Sequence, residues 1–325
     1  MSLGRLGLIQ AGQPSKQCPT LAEMTADATA TAADIVEGKT AYARGEKLTG
    51  TLVPVSKIDV AAEGIKFSYS TFEEVPEIFD FSNVTDLSYI FDTCKSLISL
   101  PSNLNWGKMT NVVAAFRGTT SLNYEVNIES LEVQSLEGIF QRSNISKILN
   151  FSVKNASTAF SAFDNSKLTE IGNIDLPDTL NVSYAFSNSP IVHFPKINAP
   201  KVIYCTYTFG LNRSMQSLEY WDFSNVTAAT NMFKGCSALS SIGDVIFLHT
   251  ALSLADSPNI DEATLKLLGG FAYAPGESGV APLKTLGLPA AALTFNTAAQ
   301  TFLESEGIIA KLTEENWTVN FADSM

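Results

Sequence analysis

DFSNVTDLSYIFDTCKSLISL, residues 80–100, and DFSNVTAATNMFKGCSALSSI, residues 222–242, carry the same pattern. Each opens with Asp-Phe-Ser-Asn-Val-Thr, then places a Phe, a Cys three residues later and a Leu three residues beyond that. Between the two copies the Phe keeps returning, at Phe91, Phe116, Phe140, Phe163, Phe186, Phe209 and Phe233, in steps of 25, 24, 23, 23, 23 and 24 residues. Phe67 extends the series backward by 24 and Ala255 forward by 22. An apolar residue follows most of these positions by five or six: Leu97, Leu122, Ile145, Leu168, Ile191 and Leu239. After Phe209, Met215 takes that place and Leu218 follows. A fixed period of this length is the signature of a solenoid, because one coil cannot bury its own Phe and Leu and stacked coils share a continuous core.

Each coil also holds an apolar–Asp/Asn–apolar triplet: Phe79-Asp80-Phe81, Leu104-Asn105-Trp106, Val126-Asn127-Ile128, Leu149-Asn150-Phe151, Ile174-Asp175-Leu176, Ile197-Asn198-Ala199 and Trp221-Asp222-Phe223. An eighth, Val245-Ile246-Phe247, lacks the central Asp or Asn. In an extended strand the outer residues point one way and the middle residue the other. The outer pairs are expected in the core. The middle residues are expected as a ladder on an open face, where Ser, Asn, Asp, Gly and Pro in between supply turns.

The ends have a different logic. In residues 1–53, Thr29 or Thr31 can cap a short helix through Ile35 and Val36 that ends at Gly38. Thr40–Ala43 and Lys47–Leu52 then read as a hairpin around Arg44-Gly45. In residues 259–325, Asn259 or Asp261 is expected to cap a helix to about Leu268, followed by a strand at Lys284–Leu288. A helix at Thr297–Glu306 and a strand at Trp317–Phe321 complete the reading. The organisation is therefore an attachment or oligomerisation segment (1–53), a leucine-rich-repeat-like solenoid of short strands and turns (54–258) and an α/β C-terminal cap (259–325).

The solenoid resembles the BspA-like leucine-rich repeats of bacterial surface proteins. The residues that carry the likeness read FDFSNVTDLSYIFDTCKSL and WDFSNVTAATNMFKGCSAL in this chain. That resemblance covers about 190 residues and implies adhesion and contact with protein or glycan, with no chemistry. Thr31 through Thr51 resemble a short module near the ends of phage tail and fibre proteins, with Val36-Glu37 and Ala43-Arg44 as departures. Leu312, Thr313, Glu314, Trp317, Thr318 and Val319 are similar, in altered order, to the ends of phage and bacterial repeat proteins. These resemblances imply a virion appendage, a tail or head fibre or adhesin, held to other virion proteins through residues 1–53. It would be a homotrimer, contacting a bacterial surface glycan or protein. The alternative is an adhesin on the bacterial cell surface.

Composition narrows the field. Of 325 residues, 33 are acidic and 21 basic, a net charge of -12, with no basic run. Nucleic-acid binding needs clustered Lys and Arg against phosphate, so none is expected. No stretch approaches the ~18 apolar residues of a membrane span, and the N-terminus shows no secretory signal. Cys94 and Cys236 hold one register position six coils apart. At ~4.8 Å per stacked strand they lie about 29 Å from each other, beyond the reach of a disulfide, and Cys18, Cys94, Cys205 and Cys236 fit no zinc spacing. Buried free thiols are expected.

No constellation suggests an enzyme, a cofactor or a metal. His193 and His249 pair with no Cys or Asp at a useful spacing. Gly45–Thr51 lacks the Gly-Lys-Ser/Thr of a phosphate loop, and Glu73, Glu74, Glu77 and Asp80 do not form a known calcium loop. The candidate binding surface is the ladder Asp80, Asn105, Asn127, Asn150, Asp175, Asn198 and Asp222. It has two readings: hydrogen bonds to sugar hydroxyls or a peptide, or side chains that satisfy one another along the coils. Asn-x-Ser/Thr occurs at Asn83, Asn144, Asn155, Asn181, Asn212 and Asn225, where turn chemistry explains it.

Overall fold

The structure, a computed structural model, describes residues 39–43, 46–50, 57–223, 225–243, 245–246, 252–265, 292–314 and 317–322. The helix expected near Thr31, the strand expected at Lys284–Leu288, Cys18 and His249 lie outside them. The chain forms a β-solenoid of about ten turns with little helix, as the period requires.

The periodic phenylalanines form a single stack. Phe67, Phe91, Phe116, Phe140, Phe163, Phe186, Phe209 and Phe233 follow one another with ring planes within 5° to 20° of parallel. Centroids are 5.5 to 5.7 Å apart, widening to 6.3 Å between Phe186 and Phe209. None is more than 2% exposed. The spacing exceeds the ~4.8 Å step between strands, so the rings are offset, as aromatic quadrupoles prefer.

Around the stack the backbone is a parallel ladder between coils. Alternate N–H groups beside each Phe donate to the following coil: Tyr89, Phe91 and Thr93 to Val113, Ala115 and Arg117 at 2.6 to 3.0 Å, and Tyr184, Phe186 and Asn188 to Thr206, Thr208 and Gly210 at 2.8 to 3.0 Å. The N–H groups between them close turns within their own coil, as Ile90 does to Leu87 and Cys94 to Phe91. Many backbone donors of the described coils are thereby used without a long strand. Longer strands occur in the middle, where Val126–Glu132, Lys147–Lys154 and Glu170–Asp175 make a three-stranded parallel sheet.

Most triplets face as expected: Phe79, Phe81, Val126, Ile128, Ile174, Leu176, Trp221 and Phe223 are buried. Two depart. Leu149 is 37% exposed, because a bulge pairs Val126 with Ile148 but Asn127 with Asn150 and leaves Leu149 unpaired on the strand. Asn105 and Trp106 enter no strand: Trp106–Lys108 is a 3₁₀ turn with Asn105 as its cap. Asn105 Oδ1 accepts from Gly107 N at 3.0 Å, so local capping overrides the strand pattern there.

Lys39–Ala43 and Glu46–Gly50 pair antiparallel as the expected hairpin. At the other end, Leu252–Leu254, Ala292–Phe295 and Thr318–Phe321 form a parallel sheet, and Asp261 caps the start of a helix by accepting from Thr264 N at 2.7 Å. The helix expected over Thr297–Glu306 is a 3₁₀ turn, Thr297–Ala299, running into an α-helix, Gln300–Ser305. A second helix, Ile308–Glu314, follows Gly307, and the sequence reading did not anticipate it. It did not anticipate the strand Ala292–Phe295 either. Leu303, Ile308 and Leu312 turn their apolar face into the core.

Trp221 is fully buried, and among the described residues its Nε1 has no hydrogen-bond partner. An unmet buried donor costs about 1–3 kcal/mol. Phe79 fills the equivalent place in an earlier coil. Trp221→Phe should therefore change unfolding stability by less than about 1 kcal/mol despite complete burial, whereas Phe140→Ala should lose about 3–5 kcal/mol. Urea denaturation followed by circular dichroism measures both. A loss for Trp221→Phe as large as for Phe140→Ala would show that the indole N–H is in fact bonded.

Candidate functional site

The Asp/Asn ladder exists only in short runs. Asp80 stands opposite Asp59 in paired two-residue strands. Its Oδ1 accepts from Ser82 N at 2.9 Å and from Asn103 Nδ2 at 3.0 Å. Asn83 Nδ2 donates to Asp59 Oδ2 at 2.9 Å. These bonds favour the ionised form, so both carboxyls lie below the usual carboxylate range, Asp59 chiefly through Asn83 and Asp80 chiefly through the Ser82 N–H. Asn150 donates to Asn127 at 2.9 Å. The next strand then slips the expected register: Asn150 pairs with Asn173, and Asp175 instead faces Ser152, two residues on. Asp175 accepts from Ser152 Oγ at 3.1 Å and from Asn198 Nδ2 at 2.5 Å. Asn105 is apart from the ladder, as a cap. Asp222 faces Ile246.

The structure thus brings together Asp80 with Asp59 and Asn103, Asn127 with Asn150, and Asp175 with Asn198. In each group a donor of one coil meets an acceptor of its neighbour. Ser217 and His193 do the same on adjoining strands, at 2.8 Å. Among the described residues no group of three or more His, Cys, Asp or Glu is arranged to hold a metal ion.

The second columnar feature is inside. Three residues after each Phe comes a small polar side chain: Cys94, Thr119, Ser143, Ser166, Ser189, Asn212 and Cys236, all buried. Several donate to the carbonyl of the preceding coil's Phe: Cys94 Sγ to Phe67 O at 2.9 Å, Ser189 Oγ to Phe163 O at 3.1 Å, Asn212 Nδ2 to Phe186 O at 2.8 Å and Cys236 Sγ to Phe209 O at 3.1 Å. The carbonyls of Phe67, Phe163 and Phe209 already accept one N–H of their own coil, and the side chain fills the second lone pair where water has no access; at Phe186 the Ser189 N–H donates to Asn212 Oδ1 at 2.6 Å instead. This explains the repeated Cys, and it explains Asn212: the amide is fully buried, a structural part of the core, and no place for a glycan. Cys94, Cys205 and Cys236 are all buried.

The third feature is a surface the sequence reading did not single out. Two residues before and two after the Phe, the backbone is left-handed. The first column holds Tyr89, Ala114, Gly138, Ser161, Tyr184, Tyr207 and Asn231, and the second begins with Tyr69, Thr93 and Gly118. A positive φ at the third residue of a hydrogen-bonded turn is the mark of type II, where Gly or Asn is favoured. Bulky residues there are unusual. In several coils the residue just after the Phe compensates for its neighbour's size. Where the left-handed residue is small, a large polar side chain follows: Arg117 after Ala114, Gln141 after Gly138, Asp164 after Ser161. Where it is Tyr207 the partner is Gly210, at which any Cβ would lie 2.5 Å from the tyrosine ring. Arg117 closes on the buried Asp92 of the coil before through two bonds of 2.9 and 2.7 Å and lies 5.4 Å over the Tyr89 ring. Gln141 donates to Asp164 at 2.9 Å.

Near the Phe163, Phe186 and Phe209 coils this flank carries an aromatic row. Phe160 meets Tyr184 edge-on at 5.6 Å, and Tyr184 stacks on Tyr207 at 5.2 Å and 7°. All three are partly exposed. A sequence signal was available: Tyr89, Tyr184 and Tyr207 each stand two residues before a periodic Phe.

A cavity of about 200 Å³ lies between the last coil and the cap, lined by Leu254, Ile260, Leu265, Phe295 and Phe302 with Ser257 and Asn296. The polar pair is already used, Ser257 on Cys236 O at 3.2 Å and Asn296 on Ala255 O at 2.8 Å.

With this architecture established, comparison places the chain. A family model described as "Mycoplasma protein of unknown function, DUF285" matches residues 63–174 and again 154–245. The two matches together span more than half the sequence, all of it solenoid, and the chain belongs to that family. No curated protein and no solved structure matches it.

Burial raises the Cys236 thiol to about 12 and the Cys205 thiol further still. A raised folded-state value favours the fold fully below the ordinary thiol value near 9.0, and that contribution is lost as pH rises toward 12. Iodoacetamide at pH 8 should leave Cys94, Cys205 and Cys236 unmodified until urea unfolds the chain, as read by mass spectrometry of peptides. The urea midpoint should fall between pH 9 and pH 12, by less in Cys236→Ala. Fast labelling of Cys236 in the folded protein would contradict its place in the core.

Proposed function

We propose that this chain is a non-enzymatic binding appendage of a phage particle. In this reading residues 1–53 attach it to other virion proteins, and the solenoid presents its flanks to a bacterial surface glycan or protein. The observation that carries it is the solenoid itself, stacked without a break from Phe67 to Phe233. Such a stack yields a stiff, elongated scaffold with long lateral surfaces, the shape that repeat proteins use for recognition. Many of its described polar side chains are engaged in coil-to-coil bonds, the His193–Ser217 contact on adjoining strands among them. The phage assignment rests on the likeness of Thr31 to Thr51 to tail and fibre modules. Threefold assembly follows from the same likeness.

Family membership favours a second reading, an adhesin on a bacterial cell, since the repeat resembles those of bacterial surface proteins. Antibody raised against the full chain separates the two. Gold label on purified virions supports the appendage, label on intact cells supports the adhesin, and label on neither overturns both. Light scattering of the full chain should give a trimer mass, and residues 54–325 alone a monomer. A monomeric full chain would remove the basis for a symmetric fibre.

A further inference from the structure

Phe160, Tyr184 and Tyr207 occupy three successive coils, with ring centroids 5.6 and 5.2 Å apart. Their setting is at odds with a merely structural role. Tyr184 and Tyr207 hold φ of 59° and 53°, in a column where Gly138 and Asn231 meet the same backbone demand at less strain. Phe160 stands in a column otherwise made of Ser88, Val113, Glu137, Ser183, Thr206 and Thr230, and it is partly exposed.

The surroundings define the ligand. Between Phe160 and Leu211 the flank beside the rings offers hydroxyls and amides, such as Thr206 and the exposed Asn188. Within these three coils its charged group, Asp164, is only 8% exposed and already bound by Gln141 and Asn165, and the exposed charges Glu137 and Lys234 stand in the coils on either side. On a chain of net charge -12 an uncharged strip selects against ionic partners. Aromatic rings joined with small hydroxyl and amide side chains are the composition of adaptable recognition surfaces. The row advances one aromatic per coil along the solenoid axis, a step comparable with one sugar unit of an extended chain. We infer that Phe160, Tyr184 and Tyr207 form a binding strip for a neutral linear polysaccharide lying along the axis, with apolar sugar C–H groups against the solvent-exposed parts of the stacked rings and sugar hydroxyls on the flanking polar groups. This rests on the binding-appendage reading and adds the site and the ligand class.

The test is affinity electrophoresis of the full-length chain in gels containing mannan, β-glucan or galactan as neutral probes, and hyaluronate or alginate as acidic ones. Tyr184→Asn and Tyr207→Asn suit the left-handed backbone, and Phe160→Ser restores the column's ordinary residue, so the fold survives. Thermal unfolding verifies this, and Tyr69→Ser serves as the exposed control away from the strip. At least one neutral polymer should retard the wild type, with apparent affinity reduced tenfold or more in each strip variant and unchanged in Tyr69→Ser. Retardation by acidic polymers alone, by none, or equally in wild type and variants overturns the inference. Adsorption to cells separates this from the broader reading. Adsorption that is lost after protease but survives periodate oxidation, and is unaffected by the strip variants, means a protein partner on another surface. In that case only the glycan inference fails. A wild type that does not adsorb at all removes the binding role itself.

Discussion

Everything in this molecule depends on one repeated contact, the offset stacking of a phenylalanine on the phenylalanine of the next coil. A single aromatic side chain buries up to about 3 kcal/mol of apolar surface, and the ring-on-ring geometry adds about 0.5–1.5 kcal/mol. No coil can collect that gain alone, because both faces of its ring need a neighbour. The stack also fixes register. A coil displaced by one residue would turn its Phe outward and leave a gap in the column. Insertions of one or two residues, such as those that stretch the steps at Phe91–Phe116 and Phe116–Phe140, must therefore be absorbed elsewhere, in the turns and in the Trp106–Lys108 3₁₀ turn.

The second constraint is the carbonyl of that same Phe. It points into dry protein with room for two donors, and its own coil supplies one. In several coils the small polar residue three places after the next Phe supplies the other, from Cys94, Ser189, Asn212 and Cys236, whereas Thr119 turns its hydroxyl to Phe116 O of its own coil. The conserved feature of the column is thus a donor of small volume. The turns flanking the Phe are equally rigid in backbone, with positive φ on both sides, yet permissive in side chain, because bulk can be moved between the left-handed residue and the one after the Phe. Tyr207 with Gly210, and Gly138 with Gln141, are two solutions to one packing problem. The inside of each coil is fixed and its flank is free to vary, which is the property a recognition scaffold needs.

The parts of the fold legible in the sequence were those governed by periodicity. The spacing of Phe91, Phe116, Phe140, Phe163, Phe186, Phe209 and Phe233 located the coils between them, and the buried thiols followed from the register of Cys94 and Cys236. The Asp/Asn ladder was only half legible. Strand alternation is a two-residue rule, and it cannot foresee a bulge at Leu149 or a slip that seats Asn173 opposite Asn150. Asn105 was misplaced because a cap and a strand centre use the same residue, and only the following Trp-Gly-Lys decides between them. The aromatic flank was missed for a different reason. The period drew attention to what repeats, whereas Tyr184 and Tyr207 stand in a column that does not repeat, which holds a third Tyr at Tyr89 and Ala, Gly, Ser or Asn in the remaining coils.

That contrast bears on how a solenoid acquires function. Polar groups aligned in register tend to consume one another: Asn150 is bound to Asn127, Asn198 to Asp175, Asn188 to Asn165 at 2.6 Å. A ladder of like side chains is therefore a poor place to look for unmet binding capacity, however prominent it is in the sequence. Capacity is left where a column breaks its own rule and sets a costly, partly exposed residue on a backbone that would accept a cheaper one. In this chain the ladder bonds coil to coil, and the irregular aromatic row on the turn flank is the surface where partly exposed side chains break their column's rule.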